Sequence, residues 1–360
     1  MKQFYYLIIT VIFLLAGTYG LAQDCAQALR LARAIYDQGR LQEVETYLRP
    51  CFSEKTGTVQ KDMMVEAYKL MCLSHIYLEE PDKADEDMLN IKKTDPYYRP
   101  NEGVDPAEFI ALYKTYREEP VFRIGATLGV NFSRPNIEEV TTITEAQTGS
   151  KYTSGAGIQL GVALDKPLSL FGNSDKWTLH SELMIYQLRS FKLTQIEERI
   201  NPLTDEIKRN QLNGREQHLS FAAPVMLHYQ YKKLKTFSLY AGAGLTPEWL
   251  ASRNIAIEKI REDQPSVPEK NYELNNNTIQ LSASLSTGVK LPIKPGIIVA
   301  EIRYNHGLTR ITNQSMAYQN NELAFDHGYA DSVFKVSSIM FKLSYLYEKF
   351  IPKKNLQTKR

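Results

Sequence analysis

Phe122-Arg123-Ile124-Gly125-Ala126-Thr127-Leu128-Gly129-Val130-Asn131-Phe132-Ser133 alternates apolar residues with glycine, polar and charged ones. A period of two belongs to an extended strand with one apolar face. The same period closes the chain, where Ile339, Phe341, Leu343, Tyr345 and Tyr347 alternate with Ser338, Met340, Lys342, Ser344 and Glu348. Six further segments of this kind lie near 152–165, 176–191, 216–232, 236–252, 277–292 and 297–310. Each is a weak signal alone; together they predict an eight-stranded antiparallel β-barrel.

The connections support closure. Those near 135–151, 192–215, 253–276 and 311–333 are long and polar, whereas those near 166–175, 233–235 and 293–296 are short. Long loops at one end and tight turns at the other are the pattern of barrels that cross an outer membrane. An even strand count puts both ends of the barrel segment on one side.

Charge placement sets which face meets lipid. The apolar face is read as free of Asp, Glu, Lys and Arg, while the other carries Arg123, Glu182, Lys290, Glu301, Arg303 and Lys342, with His180 beside Glu182. A charge facing hydrocarbon is costly, whereas one in a lumen can pair. Aromatics on the apolar face gather at the strand ends. Phe122, Trp177, Tyr229, Tyr231, Phe237, Tyr345 and Tyr347 fall toward one rim, and Phe132, Tyr152 and Trp249 toward the other. Two such bands correspond to the girdles of a membrane barrel. The competing fold is a soluble barrel with its apolar face inward. Glycines on the polar face, such as Gly129, Gly242 and Gly288, would leave that core thin. In a narrow lumen they make room for large inward side chains such as Gln159, Tyr186, Met226, His228 and Tyr240.

The first residues fix the compartment. Lys2 precedes an apolar run, Tyr5 to Leu15, and Gly20-Leu21-Ala22 offers small residues for a signal peptidase. The run is shorter than the ~20 residues of a spanning helix. It predicts a cleaved signal over 1–22, with the mature chain starting near Gln23. Asp24 before Cys25 argues against lipidation. A formal charge of +2 gives no electrostatic case for nucleic acid.

Residues 23–119 carry helical periods. Ala28, Leu31, Ala32 and Ile35 form one stripe; Leu41, Val44, Leu48 and Cys51 form the next, with Gly39 at the break. In an antiparallel hairpin the start of the first helix lies beside the end of the second, which pairs Cys25 with Cys51. An oxidising periplasm permits that disulfide. Cys72 is left as a buried thiol. Tyr68, Met71, Cys72 and Ile76 precede Glu80-Pro81-Asp82, and Ala84, Met88 and Ile91 precede Asp95-Pro96. This spacing resembles a tetratricopeptide repeat. Such a unit serves as a plain helical cap or as a protein-docking module. A last helix carries Phe109, Leu112, Tyr113 and Tyr116, with Asp105 and Glu108 as its expected capping pair. The barrel then spans 120–351, followed by a basic tail, 352–360.

Four stretches carry a family resemblance: Phe122–Ser133, Leu179-His180-Ser181-Glu182-Leu183, Leu219-Ser220-Phe221-Ala222-Ala223-Pro224-Val225-Met226-Leu227, and Tyr240-Ala241-Gly242-Ala243-Gly244. Together they resemble the PorT-like outer-membrane β-barrel family of the Bacteroidetes, over most of 120–350. The resemblance implies a transmembrane barrel without a single family-wide activity; some members are linked to protein secretion and gliding. Pro224 lacks the N–H a ladder bond needs, so a local gap in pairing is expected there.

No HExxH, GxSxG, phosphate-binding loop or paired-cysteine metal motif is present in the sequence. No catalytic, metal or cofactor site is therefore expected. His180 with Glu182 fits a buried lumen network better than acid–base chemistry. His306, on the apolar face near the outer rim, lacks a serine or acid partner legible in sequence. The expected function is non-enzymatic. The barrel anchors in outer-membrane lipid, and residues 23–119 face the periplasm and hold a protein partner. A small-solute pore and a lipid-modifying enzyme are the alternatives.

Overall fold

The computed structural model describes residues 20–52, 60–141, 147–170, 173–200, 206–262, 265–318 and 320–354. The expected signal segment up to residue 19 lies outside them, as do residues 355–360 of the basic tail. Two compact units form: a helical one up to Pro120, joined by residues from Phe350 onward, and a strand unit, Val121–Lys349.

The helical unit contains α1 (Gly20–Asp37), α2 (Val44–Phe52), α3 (Lys61–Tyr77), α4 (Pro81–Thr94) and α5 (Ala107–Lys114). Gly39, at φ 75°, ends the first turn in the left-handed region that suits glycine. α1 and α2 then fold back, and Cys25 bonds Cys51 with their Cα atoms 4.7 Å apart. Ala28, Ala32, Ile35, Val44 and Leu48 pack around the bridge. Leu31, expected in this stripe, is 48% exposed, and Leu29 takes the buried place. The buried face of α1 thus runs through Leu29, which joins the cluster that includes Leu70 of α3.

A second cluster joins Cys72, Leu73, Ala84, Met88 and Ile91 of the α3–α4 hairpin to Phe109, Tyr113 and Tyr116. Met88, Ile91 and Phe109 are fully buried, each contributing about 1.5–3 kcal/mol by burial. Cys72 is the free thiol of this cluster. Asp105 does not cap α5; Pro106 holds that position without a side-chain bond. The Asp105 carboxylate instead accepts from Asn101 N–H at 2.7 Å and pairs with Lys69 at 2.6 Å. An ammonium attracts the carboxylate more strongly than a helix terminus does. The final segment belongs to this unit. Phe350 meets Tyr97 edge-on, Arg117 N–H donates to Lys353 C=O, and Lys354 pairs with Asp85.

The strand unit contains β1 (Phe122–Glu139), β2 (Gln147–Leu170), β3 (Asn173–Ile200), β4 (Ile207–Ala222), β5 (Val225–Lys233), β6 (Ser238–Ile260), β7 (Val267–Glu273), β8 (Ile279–Ile293), β9 (Gly296–Gly307) and β10 (Val333–Lys349). β1 pairs antiparallel with both β2 and β10, which closes the ring. β4 and β5 are one strand broken at Pro224: both lie between β3 and β6. Counted so, and with β7 appended to β6, the ring has eight strands. The expected gap is present: Glu182 N–H donates to Pro224 C=O and Ala223 N–H to Pro247 C=O, in place of regular ladder bonds. Phe122 faces Lys349 across the seam, so the ring starts and finishes at the same rim.

Several strands outrun their expected ends. β3 has 28 residues, against about 9–11 for a strand that crosses a bilayer. Much of the stretches 135–151, 192–215 and 253–276, expected as loops, is extended strand. Their polar composition hides a period whose inner face, Leu193, Leu212, Ile255 and Ile257, packs with Tyr329 and Phe334. Bulges also change phase. The β3–β4 register shifts between Met184 and Gln187, so Ile185 and Tyr186 both face outward at 49% and 38% exposure. Tyr186, expected inward, is thereby displaced, and Gln187 and Arg189 turn in. A shift in β2 between Ser154 and Gln159 likewise turns Tyr152 inward, away from the outer girdle where it was expected.

Candidate functional site

The barrel interior is layered. At the rim where β1 begins, Ile297, Val299 and Leu346 pack with Ala163 and Tyr240. Against and beyond them, with Lys290 opposite Val299 and Glu182 opposite Ala163, lies a charged network of residues from β2, β3, β6, β8, β9 and β10. His180 stands between two carboxylates, with Nδ1 at 2.5 Å from Asp165 and Nε2 at 2.6 Å from Glu182. Both neighbours only accept, so the ring serves them fully with a hydrogen on each nitrogen. Arg303 donates to both Glu182 oxygens, at 2.8 and 3.1 Å, and through Nε to Glu301 at 2.8 Å. Lys342 pairs with Glu182 and Glu301, Lys290 reaches Asp165 at 3.1 Å, and Tyr240 O–H donates to Glu301 at 2.6 Å. Three carboxylates thus face Lys290, Arg303 and Lys342, nearly all below a tenth exposed. Ionic groups so far from water persist only when paired and hydrogen-bonded.

Of the seven polar residues singled out in the sequence, His180, Glu182, Lys290, Glu301, Arg303 and Lys342 meet in this network. Arg123 does not; it pairs with Glu348 at 2.8 Å near the rim. Asp165 and Tyr240 complete the network. Two glycines make it possible. A Cβ at Gly242 would sit 2.3 Å from the His228 ring, and one at Gly288 would sit 2.8 Å from the Tyr240 oxygen.

His180, His228 and Glu301 bring ligand-type atoms within 4.8 Å of one another. They do not suit a cation. The two rings stack at 4.5 Å with planes 18° apart, so their in-plane lone pairs run side by side instead of converging. Both His180 nitrogens are engaged already, and Arg303 holds Glu301.

Toward the opposite rim a second buried group forms. Arg189 and Glu248 make a bidentate pair at 2.6 and 2.5 Å. Arg253, fully buried, donates through Nε to Glu216 at 2.5 Å and through both remaining nitrogens to Asp331. His218 adds a 2.7 Å contact to Glu216. Above this group an apolar cap, including Phe191, Ile255, Tyr272, Leu323, Tyr329 and Phe334, fills the mouth. Glu216, His218 and Glu248 share the parity of Met226, His228 and Tyr240, a signal that could have found them. Arg253 lies beyond a register shift at Leu219/Ser220, and Asp331 lies outside any strand. No local pattern marks either.

On the outside, Ile124, Leu128, Leu183, Leu285 and Leu343 are 46–61% exposed. Trp177 packs on Tyr229 at 4.8 Å; these two and Phe122, Tyr231, Phe237, Tyr345 and Tyr347 lie exposed or half-buried near the rim where the ring starts. Phe132 and Trp249 stand exposed toward the other. His306 is exposed on the outer wall, with Ser337 Oγ 3.3 Å and Tyr304 Oη 3.4 Å from its Nδ1. Among the described residues no carboxylate contacts its ring.

A closed eight-stranded barrel with an apolar outer wall and a paired ionic interior is the architecture of an outer-membrane protein. A family model described as outer membrane protein beta-barrel domain matches residues 119–313. The chain belongs to that family, and its place is the outer membrane. Solved structures similar to it include the outer membrane protein OprG from Pseudomonas aeruginosa, at 12% identity and TM-score 0.34, over 64% of this chain and 98% of that one. Ail, the attachment invasion locus protein of Yersinia pestis, is similar at 11% identity and TM-score 0.26, over 64% and 99%. Neisserial surface protein A is similar at 10% identity and TM-score 0.27, over 63% and 96%. No curated protein matches this chain.

Proposed function

We propose that the barrel is a closed, non-enzymatic membrane anchor and that the helical unit, in the periplasm, docks a protein partner. The layered interior carries this reading. Any ion crossing the lumen would have to displace the apolar plug at Leu346, break the Glu182–Arg303–Lys342 network, and pass the cap at Phe334. An eight-stranded barrel has little more interior than its side chains fill. The tetratricopeptide-like spacing of the α3–α4 hairpin supports the docking role. The PorT-like resemblance suggests a partner in protein secretion or gliding.

Two measurements test this. Purified protein in planar bilayers should give no stable conductance; a large, steady ion current would make it a pore. Affinity purification from outer membranes should recover a protein partner with the full chain and lose it when residues 23–119 are deleted. Equal recovery without those residues would refute the docking role.

A further inference from the structure

Three adjacent strands carry matched outward series. Going toward the outer rim, β1 presents Leu128, Val130, Phe132, Arg134 and Asn136; β10 presents Leu343, Phe341 and Ile339, followed by the covered Ser337 and half-buried Lys335; β9 presents Ala300, Ile302, Tyr304 and His306. Leu128 pairs with Leu343 and that residue with Ala300; two steps further out Phe341 faces Val130 and Ile302, and two beyond that Phe132 and Tyr304 flank Ile339, after which all three strands turn polar. Phe132 meets Phe341, one step lower, edge-on at 6.3 Å. Aromatics of this kind mark the headgroup boundary of a bilayer.

Below that boundary the wall is hollowed. A groove of about 790 Å³ runs from β2 over β1, β10, β9 and β8 to β6 and β5, bordered by Leu128, Leu343, Leu239 and Tyr231. Its floor is low because Ala300 stands between Leu343 and Val289, and Thr287 between Ile302 and the equally small Ala241. Above the boundary, on the same strands, hydrogen-bonding groups converge. Asn136 donates to Ser337 Oγ at 2.7 Å, and Ser337 lies 3.3 Å from His306. Lys335 is held by Glu138 at 2.7 Å. Arg134 is exposed and has no ionic partner among the described residues.

We infer that this face is a specific site for one outer-leaflet lipid whose phosphorylated headgroup is net anionic. Its acyl chains fill the groove, and its phosphate meets Arg134 with Asn136, Ser337 and His306 beside it. An unpaired guanidinium at headgroup depth supplies the charge complement, because guanidinium presents a fork of donors that matches phosphate oxygens. The apolar hollow supplies length and shape. Neither part alone makes the site: a bare cation would take any anion, and a bare groove any lipid.

Native mass spectrometry of the full chain, released from detergent after titration with phosphatidylglycerol or phosphatidylcholine of identical acyl chains, tests this. Phosphatidylglycerol should be retained in preference, with one molecule dominant. Arg134→Glu should abolish the preference; Arg134→Ala should weaken phosphatidylglycerol about fivefold, the usual effect of one cation near an anionic headgroup. Ala300→Phe, which fills the groove without touching the headgroup level, should reduce both lipids. Thr287→Leu gives the same test on the neighbouring strand. The gel mobility of the heated and unheated protein reports that each variant remains folded. Equal retention of the two lipids by the unaltered protein would overturn the site. So would displacement of phosphatidylglycerol by an equal concentration of inorganic phosphate, because the groove would then contribute nothing.

Discussion

Glu182 is the residue on which the lumen turns. It accepts from His180, Arg303 and Lys342 at once, and its side chain is fully buried. Removing one member of a buried ionic group leaves its partners charged and unpaired, which costs about 3–5 kcal/mol. Glu182→Ala should therefore lower the unfolding free energy of the barrel in lipid vesicles by that amount, seen as a lower urea midpoint, with no new conductance. A midpoint unchanged from the parent would mean that Arg303 and Lys342 find other partners in Glu301 and Asp165. In the helical unit the informative residue is Asp87. Burial pushes its carboxyl from about 4 up to about 6, against the pull of the His75 hydrogen bond at 2.6 Å. The folded unit then keeps a proton that the unfolded chain releases, so this group's contribution to stability is full below about 4 and is lost as pH rises toward 6. Alkylation of the buried Cys72 thiol reports opening of the unit. Its pH dependence relative to Asp87→Asn should show faster labelling of the parent as pH passes from 4 to 6; parallel curves would remove Asp87 as the cause.

Among elements, β1 combines the two faces most plainly. Thr127 and Asn131 are buried inside, while Leu128 is 58% exposed outside. Leu128→Arg should cost about 2–4 kcal/mol of barrel stability near the middle of the membrane, and Leu183→Arg and Leu285→Arg likewise. Folding into lipid vesicles, followed by gel mobility, measures this. Assembly of Leu128→Arg at the parent level would place the lipid on the other face. Thr127→Lys meets a different obstacle, since Ser344 Oγ lies 2.8 Å from its oxygen and leaves no room for the longer chain. Pro224 shows the same economy at the level of pairing: one missing N–H divides a strand into β4 and β5 without opening the ring.

At the scale of the molecule, each unit is held by its own device. The Cys25–Cys51 bridge spans 26 residues of the helical unit. By loop entropy such a closure stabilises by about 3–4 kcal/mol, less any native strain. Cys51→Ala should lower the unfolding midpoint of the helical unit accordingly, read by Cys72 alkylation in denaturant, and leave the barrel's gel mobility unchanged. A coupled loss of barrel mobility would show that the two units fold as one. The barrel is held by closure: every wall strand has a partner on each side, so no long edge is left to pair with another chain.

Local pattern alone was enough to mark out the ring, because a strand with one face in lipid must alternate, and alternation is written residue by residue. The same parity brought six lumen residues onto one face, and helical spacing put Cys25 beside Cys51. What sequence did not show lies wherever phase or distance intervenes. Two bulges turned Tyr186 outward and Tyr152 inward, since a single extra residue inverts every position beyond it. Long polar stretches concealed the outer continuations of β3 and β6, because outside the bilayer an outward polar residue no longer distinguishes strand from loop. Arg123 shares the parity of the network but sits at its edge, and parity carries no depth. The Arg253–Asp331 pair joins residues 78 apart in the chain, and only the closed barrel, with its outer cap folded in, brings that guanidinium and that carboxylate to the same buried point.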